Sequence, residues 1–439
     1  MGSTQASSTG PAGIDGNGLV TLDVAQLRIG ATLRTPIYDN RDLLLLSPGT
    51  TLTRSLLSRL AARGTSEVCV SHNEVDAITA VVSADPNDEP AERTSTPSDV
   101  RSDHRLQRTS AAFLEDVDPR GAVGYDSRHI EEFQTTYGQA VSEVERLFAG
   151  LSQGEMKATS QFADLSADAL SKVARDLDLF AGMGATPALD GYPCKHSLQT
   201  AMLSLSVGSV LGLKYDELLE LGVGCLIHDA GMLFVKPRIV ESKQVLNQIE
   251  FLEITKHAVV MFDLMSCIPN VAHGSLMVAY QMHERCDGSG YPRGRKTGQI
   301  HHLAKIASVC DVFVALISPR PHRPGMLPYH AMEQILHGAR NGAFDHAVVR
   351  ALLKTISLFP IGSFVETTDG RVGKVLRANR ELYTQPVVEL WLPDSLQCET
   401  EIVDLSRAGG LQVSRPINNV RQPTPDPQLA VALEADHWE

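Results

Sequence analysis

The sequence predicts a mainly α-helical protein, with a small α+β module before the helices and a small β unit after them. Three observations carry this. Apolar residues recur three or four apart through most of 128–356, the period of an α-helix. After Phe359-Pro360 the pattern shifts to alternation, the period of a strand. Before residue 75, short apolar runs are interleaved with turn residues. At 439 residues the chain has room for about three domains. Hydrophobic residues make up 43% and charged residues 21%, which excludes a wholly disordered chain. No run of about 18 apolar residues is present, so no transmembrane helix is expected. The N-terminus lacks a basic-then-apolar signal pattern, so the cytoplasm is the expected compartment. The net charge of −13 argues against DNA, RNA or an anionic membrane as partner. Seven cysteines without a CxxC pair argue for free thiols, and against a zinc ribbon or disulfide scaffold.

Taken in order, residues 1–16 are small and polar, and disorder is expected. Residues 17–74 read as the α+β module: strand, a turn at Pro48-Gly49, a helix capped by Thr53 and ending near Gly64, then strand. Residues 75–127 are rich in Pro, Ser, Asp and Arg and are expected to be a linker. Residues 128–187 form a helical connector, marked by Ile130, Phe133, Tyr137, Val141, Val144 and Leu147. Its apolar stripe must pack on the next domain or pair with a partner helix, in a homodimer or a signalling complex. Residues 188–356 form the helical bundle, with helices at His196–Leu211, Tyr215–Ile227, Val271–Arg285 and His302–Ile317. Residues 357–416 are the β unit, with Asp369-Gly370 as a hairpin turn and PVVELWLP as a third strand. Residues 417–439 are expected to be a flexible tail.

The chemistry lies in the bundle. From Leu303 to Ile317 the only polar residues are Lys305, Ser308 and Asp311. A helix apolar nearly all round is buried, so Asp311 needs a buried arginine, a helix cap or a metal. A second oddity is His228-Asp229, where an apolar helix runs straight into two adjacent ligand-type residues. His196, His228-Asp229, His257, His283 and Asp311 are separated by 32, 28, 26 and 28 residues. Each interval is about one helical hairpin, so an antiparallel bundle returns all six to one end. Imidazole and carboxylate ligands without thiolates suit Fe, Mn, Zn or Ni more than Ca or Mg. A carboxylate shared by two ions, Asp229, would make the centre dinuclear. Next, Met282–Gly294 carries a Gly-rich loop and Tyr291-Pro292, where backbone amides and a ring face can meet a ligand. From Glu284 to Arg323 there are seven basic and three acidic residues, which favours an anionic ligand.

These residues together resemble the HD-GYP family, metal-dependent phosphohydrolases of the HD superfamily. The likeness runs over roughly 192–356. It rests on His196-Ser197, His228-Asp229 with Gly231, His257, His283-Glu284-Arg285, the string from Asp287 through Gly290, Tyr291 and Pro292, Asp311 in VCDVFVAL, and Arg320-Pro321 with Arg323. The resemblance implies an α-helical bundle and a phosphodiesterase that opens cyclic di-GMP to pGpG or GMP in bacterial signalling. It implies His196, His228, Asp229 and Asp311 on one transition-metal ion, and Asp229, His257 and His283 on the other, with Fe or Mn ahead of Zn or Ni. His228 and Asp229 are then the catalytic pair. Gly290, Tyr291, Pro292, Arg285, Arg320 and Arg323 are the substrate-side candidates. Four positions depart from the family pattern. Met232 stands where a lysine is usual, Met282 where a second histidine is usual, Tyr192 where some members place a third-ion glutamate, and His322 where a tyrosine is common. A thioether is a poor ligand for a hard ion, so the second ion loses a ligand unless water or Gln281 supplies one. The same departures open an alternative, a weakly active or inactive receptor that binds a cyclic dinucleotide and signals to a partner.

Overall fold

The computed structural model describes residues 19–39, 44–46, 48–62, 65–79, 113, 127–153, 159–266, 271–392 and 399–417. The chain divides into two compact units, within residues 1–99 and 100–439. The predicted disorder of 1–16, most of the linker and nearly all of the tail lie outside the described residues.

The first unit is a four-stranded antiparallel sheet with a helix. Its strands β1 (Leu19–Asp23), β2 (Ile37–Tyr38), β3 (Leu44–Leu46) and β4 (Glu67–Ser71) lie in the order β1-β4-β2-β3. Helix α1 (Arg54–Ala62) starts where predicted, with Thr53 Oγ1 accepting from the amide of Leu56 at 3.3 Å. The module runs past residue 74, where the sequence pattern placed its end. Helix α2 (Val75–Ile78) follows, and Thr79 bridges to Leu27. The reason is packing, because Ile78 is fully buried in the core with Leu33, Ile37 and Val70.

The second unit opens with α3 (Ser127–Ser152), α4 (Thr159–Arg175) and α5 (Leu177–Gly184). The apolar stripe of α3 is covered within the unit: Phe133, Val144, Leu147 and Phe148 are buried and α3 packs on the first bundle helix. The bundle continues with α6 (Cys194–Val210), α7 (Tyr215–Ile227), α8 (Pro237–Val240), α9 (Gln248–Met265), α10 (His273–Gln281), α11 (His302–Ile317), α12 (Pro328–Arg340) and α13 (His346–Ile356). Helix α6 is buried along nearly its whole length and packs on α3, α5, α7, α11 and α13. Helix α10 stops at Gln281, four residues short of the predicted Arg285. The chain turns there because Tyr291 donates its amide to the carbonyl of His283, folding the Gly-rich loop back on the helix end.

The β unit is a five-stranded antiparallel sheet in the order β8-β7-β6-β5-β9. Strands β5 (Phe364–Thr367) and β6 (Val372–Arg377) form the predicted hairpin, and β7 (Val387–Trp391) is the predicted third strand. Strands β8 (Thr400–Asp404) and β9 (Val413–Ile417) complete it. Pro416 lies in β9, at the sheet edge, where a missing N–H costs no ladder bond. No helix of the described residues is long and apolar enough to cross a membrane.

Candidate metal centre

The six predicted ligand-type side chains come from five elements and meet at one end of the bundle. His196 is on the first turn of α6, His257 in the middle of α9 and Asp311 in the middle of α11. His283 follows the end of α10. His228 and Asp229 open a 3-10 turn, His228–Phe234, that continues from α7. Gly231 lets that turn lie against α9. A Cβ there would stand 2.3 Å from the carbonyl oxygen of His257, an impossible contact.

All six residues are buried, with His228 fully enclosed. His196 Nε2 lies 3.0 Å from Asp311 Oδ1, and His283 Nδ1 lies 3.4 Å from Asp311 Oδ2. Asp229 is central: Oδ1 faces His228 Nε2 at 3.4 Å and His257 Nε2 at 3.5 Å, while Oδ2 faces His196 Nε2 at 3.8 Å. His257 Nε2 and His283 Nε2 are 3.0 Å apart. Two groups, His196-His228-Asp311 and His228-Asp229-His283, each bring three ligand atoms within 4.8 Å of one another.

Protonation shows what this cluster is built to hold. His228 Nδ1 faces the carbonyl of Cys225 at 2.7 Å, and His257 Nδ1 faces that of Ile254 at 2.7 Å. A carbonyl only accepts, so each Nδ1 carries the proton and each Nε2 presents a lone pair inward. The buried Nε2 of His228 has no hydrogen-bond partner. Burial lowers the His228 pKa, and burial with the neighbouring His283 pushes His257 down to about 4, which favours neutral ligands at pH 7. Burial works to raise Asp311, but hydrogen bonds from His196 and His283 outweigh it and hold the carboxyl well below the usual range. Among the described residues, no lysine or arginine pairs with Asp229 or Asp311. Ionised carboxylates, inward lone pairs and an orphaned imidazole nitrogen fit a divalent cation.

The substrate-side candidates divide. Tyr291 stacks on His283 with ring centroids 4.9 Å apart, so the Gly290-Tyr291-Pro292 loop borders the centre. Gly290 is required there, since a Cβ would lie 2.4 Å from the amide of Arg285 and the carbonyl of His283. Arg320 lies over the ring of Tyr192, itself beside His196. Arg285 and Arg323 face elsewhere. Arg285 donates to the carbonyls of Met282 and Glu284 and to Ser308 Oγ. Arg323 donates to the carbonyls of Ala315, Leu316, Ser318 and Pro324, closing the C-terminus of α11. Their guanidinium groups are used by the backbone and not presented to a phosphate. Gln281 is engaged too, accepting from the amide of His301, so it is no substitute ligand, and Met282 is fully buried. Sequence reasoning quoted Glu284 in the motif but gave it no role; its buried carboxylate accepts the amides of Arg293 and Arg295, both at 2.8 Å, and ties down the loop. Sequence reasoning missed Phe251, edge-on to Tyr291 at 6.0 Å. A glutamate inside the loop motif was a signal for the first; nothing signalled the second.

A family model described as HD domain matches residues 161–348. The cyclic di-GMP phosphodiesterase PA4108 of Pseudomonas aeruginosa is 29% identical over 274 residues, covering 62% of this chain and 66% of that protein. The cyclic di-GMP phosphodiesterase response regulator RpfG of Xanthomonas campestris is 27% identical, covering 51% and 55%. A 3'3'-cGAMP-specific phosphodiesterase of Vibrio cholerae is 31% identical over 165 residues, covering 37% and 38%. The chain thus spans between 38% and 66% of the length of these relatives. Among solved structures, Bd1817, described as an HDG"Y"P protein from Bdellovibrio bacteriovorus, matches with a TM-score of 0.45 at 16% identity, covering 76% of this chain and 98% of that one.

Proposed function

Because the chain belongs to the HD-GYP family, we propose that it is a metal-dependent phosphodiesterase that opens cyclic di-GMP to pGpG, or onward to GMP, in bacterial second-messenger signalling. The observation that carries this reading is the buried ring of four imidazoles around Asp229 and Asp311, with no lysine or arginine among the described residues to close their charge. His196, His228, Asp229 and Asp311 would hold one ion, and Asp229, His257 and His283 the other. The mixed imidazole and carboxylate set favours Fe or Mn, ahead of Zn or Ni. Bound ions would polarise the phosphate and acidify a water. The chain's own contribution is placement. Asp229 faces His228 and His257 with one oxygen and His196 with the other, and the carbonyls of Cys225 and Ile254 fix the tautomers of His228 and His257. Arg320 remains as the guanidinium candidate for a phosphate oxygen. The proposed substrate class matches that of relatives named as cyclic di-GMP phosphodiesterases in several bacteria.

One observation favours a second reading. Met282 is buried and Gln281 is engaged elsewhere, so residues 281 and 282 add no ligand to the His257-His283 side. A receptor that binds the dinucleotide without hydrolysing it would follow from a vacant second site. One experiment separates the two. The protein, purified with Fe or Mn and without chelating resin, is assayed for metal per chain and for cyclic di-GMP hydrolysis, beside Asp229→Ala. Two equivalents of metal, with turnover absent from Asp229→Ala, are expected. One equivalent or none, with micromolar binding and no turnover, would establish the receptor instead. Equal turnover by both proteins would reveal a contaminant and defeat the enzyme reading.

A further inference from the structure

Tyr192 occupies the turn before α6, four residues ahead of His196, with the two ring centroids 5.8 Å apart. Gly191, at φ +73°, makes the reversal, and an ion pair between Lys195 and Asp190 closes it. The guanidinium carbon of Arg320 lies 4.0 Å from the centre of the Tyr192 ring. One side chain therefore neighbours a ligand imidazole and supports a guanidinium.

Arg320 differs from its two neighbours in the motif. Arg285 and Arg323 are saturated by main-chain and hydroxyl acceptors. Among the described residues, Arg320 has no carboxylate at ion-pair distance, and its contact is the ring face. Its backbone is fixed: Arg320 and Arg323 exchange amide and carbonyl at 2.9 and 3.0 Å, and Arg323 anchors that turn to α11. A guanidinium whose only partner is a ring face keeps its N–H groups unspent on acceptors, available to an anion.

We propose that Tyr192 is a positioning residue: its ring holds Arg320 beside the centre as a preformed phosphate clamp. This rests on the phosphodiesterase reading and names the side chain that places its guanidinium. The ring face alone carries the role, so an aromatic substitute should keep it and an aliphatic one should lose it.

The test compares Tyr192→Leu, Tyr192→Phe, Arg320→Ala, Arg320→Lys and the Tyr192→Leu/Arg320→Ala pair. Each is measured on manganese-loaded protein for kcat and KM with cyclic di-GMP, for calorimetric binding of cyclic di-GMP, and for metal per chain. Tyr192→Leu and Arg320→Ala should each raise KM about tenfold, and the pair should be no worse than Arg320→Ala alone. Arg320→Lys, which keeps the charge and loses the planar guanidinium, should also raise KM. Tyr192→Phe should recover the KM lost in Tyr192→Leu, with kcat near wild type and metal content constant throughout. Multiplied losses in the pair, or identical behaviour of Phe and Leu, would overturn the assignment alone. Wild-type protein that neither binds nor hydrolyses cyclic di-GMP would sink the phosphodiesterase reading and this assignment with it.

Discussion

Asp176 and Asp311 are both buried carboxylates in the same helical body, yet one meets an arginine and the other meets histidines. Asp176 caps α5, accepting from the amide of Leu179 at 3.0 Å, and its Oδ1 lies 3.3 Å from Arg377 of β6. Asp178 lies 3.5 Å from the same guanidinium. Arg377 and Asp176 are almost fully enclosed. A permanent cation from the chain itself closes the acidic charge there, and the result fastens the β unit to the bundle. At Asp311 and Asp229 the surroundings are imidazoles, which carry charge only when protonated. Their cation is exchangeable, a proton or an ion from solution. That difference separates a structural strut from a binding site, although both are buried aspartates.

Removing the carboxylate from the exchangeable cluster gives the largest expected effect. Asp311→Ala should lose bound metal and lower turnover beyond about a thousandfold. It should also abolish the rise in melting temperature that metal gives the wild-type protein. A variant that keeps wild-type metal content and its metal-dependent melting shift would show that Asp311 is a strut like Asp176.

The converse substitution tests the other cluster. Arg377→Met removes the guanidinium that buried Asp176 and half-buried Asp178 share, leaving His129 at 3.9 Å from Asp176, and should cost about 3 kcal/mol of unfolding free energy. Metal per folded chain should stay at the wild-type value. Urea denaturation measures the first and elemental analysis the second. An unchanged midpoint would mean that the guanidinium does not secure the β unit.

The contrast also marks what the sequence could say. Asp311 stood out because its helix is otherwise apolar, and the spacings between the six ligand-type residues placed them at one end of a bundle. Charge counting could not tell Arg320 from Arg285 and Arg323, since all three lie in one basic stretch. Only tertiary packing shows two guanidinium groups turned to carbonyls and one laid on a ring from 128 residues earlier. Helix α9 was obscured because Ile249, Phe251 and Leu252 face solvent near its start and blur the amphipathic period. Strand β9 was hidden by Pro416, tolerated at an edge but a breaker in most strands. The end of the first module was misplaced because Val75 and Ile78 are too few to show a period.

The smallest expected effect sharpens the comparison inside the metal centre itself. The His196-Asp311 side has a carboxylate in direct contact with imidazole at 3.0 Å, whereas the His257-His283 side sets two imidazoles 3.0 Å apart beside a buried thioether at 282. If exchangeable charge is what the site is built for, the weaker side gains most from another inward lone pair. Met282→His should tighten its binding of a second ion about tenfold, read by titrating manganese into stripped protein and counting equivalents. Affinity at the other side should stay the same, because His196 and Asp311 lie on helices that residue 282 does not belong to. Unchanged stoichiometry and activity in this variant would mean that residue 282 does not face the second ion. The division of His257 and His283 from the His196 side would then have to be redrawn.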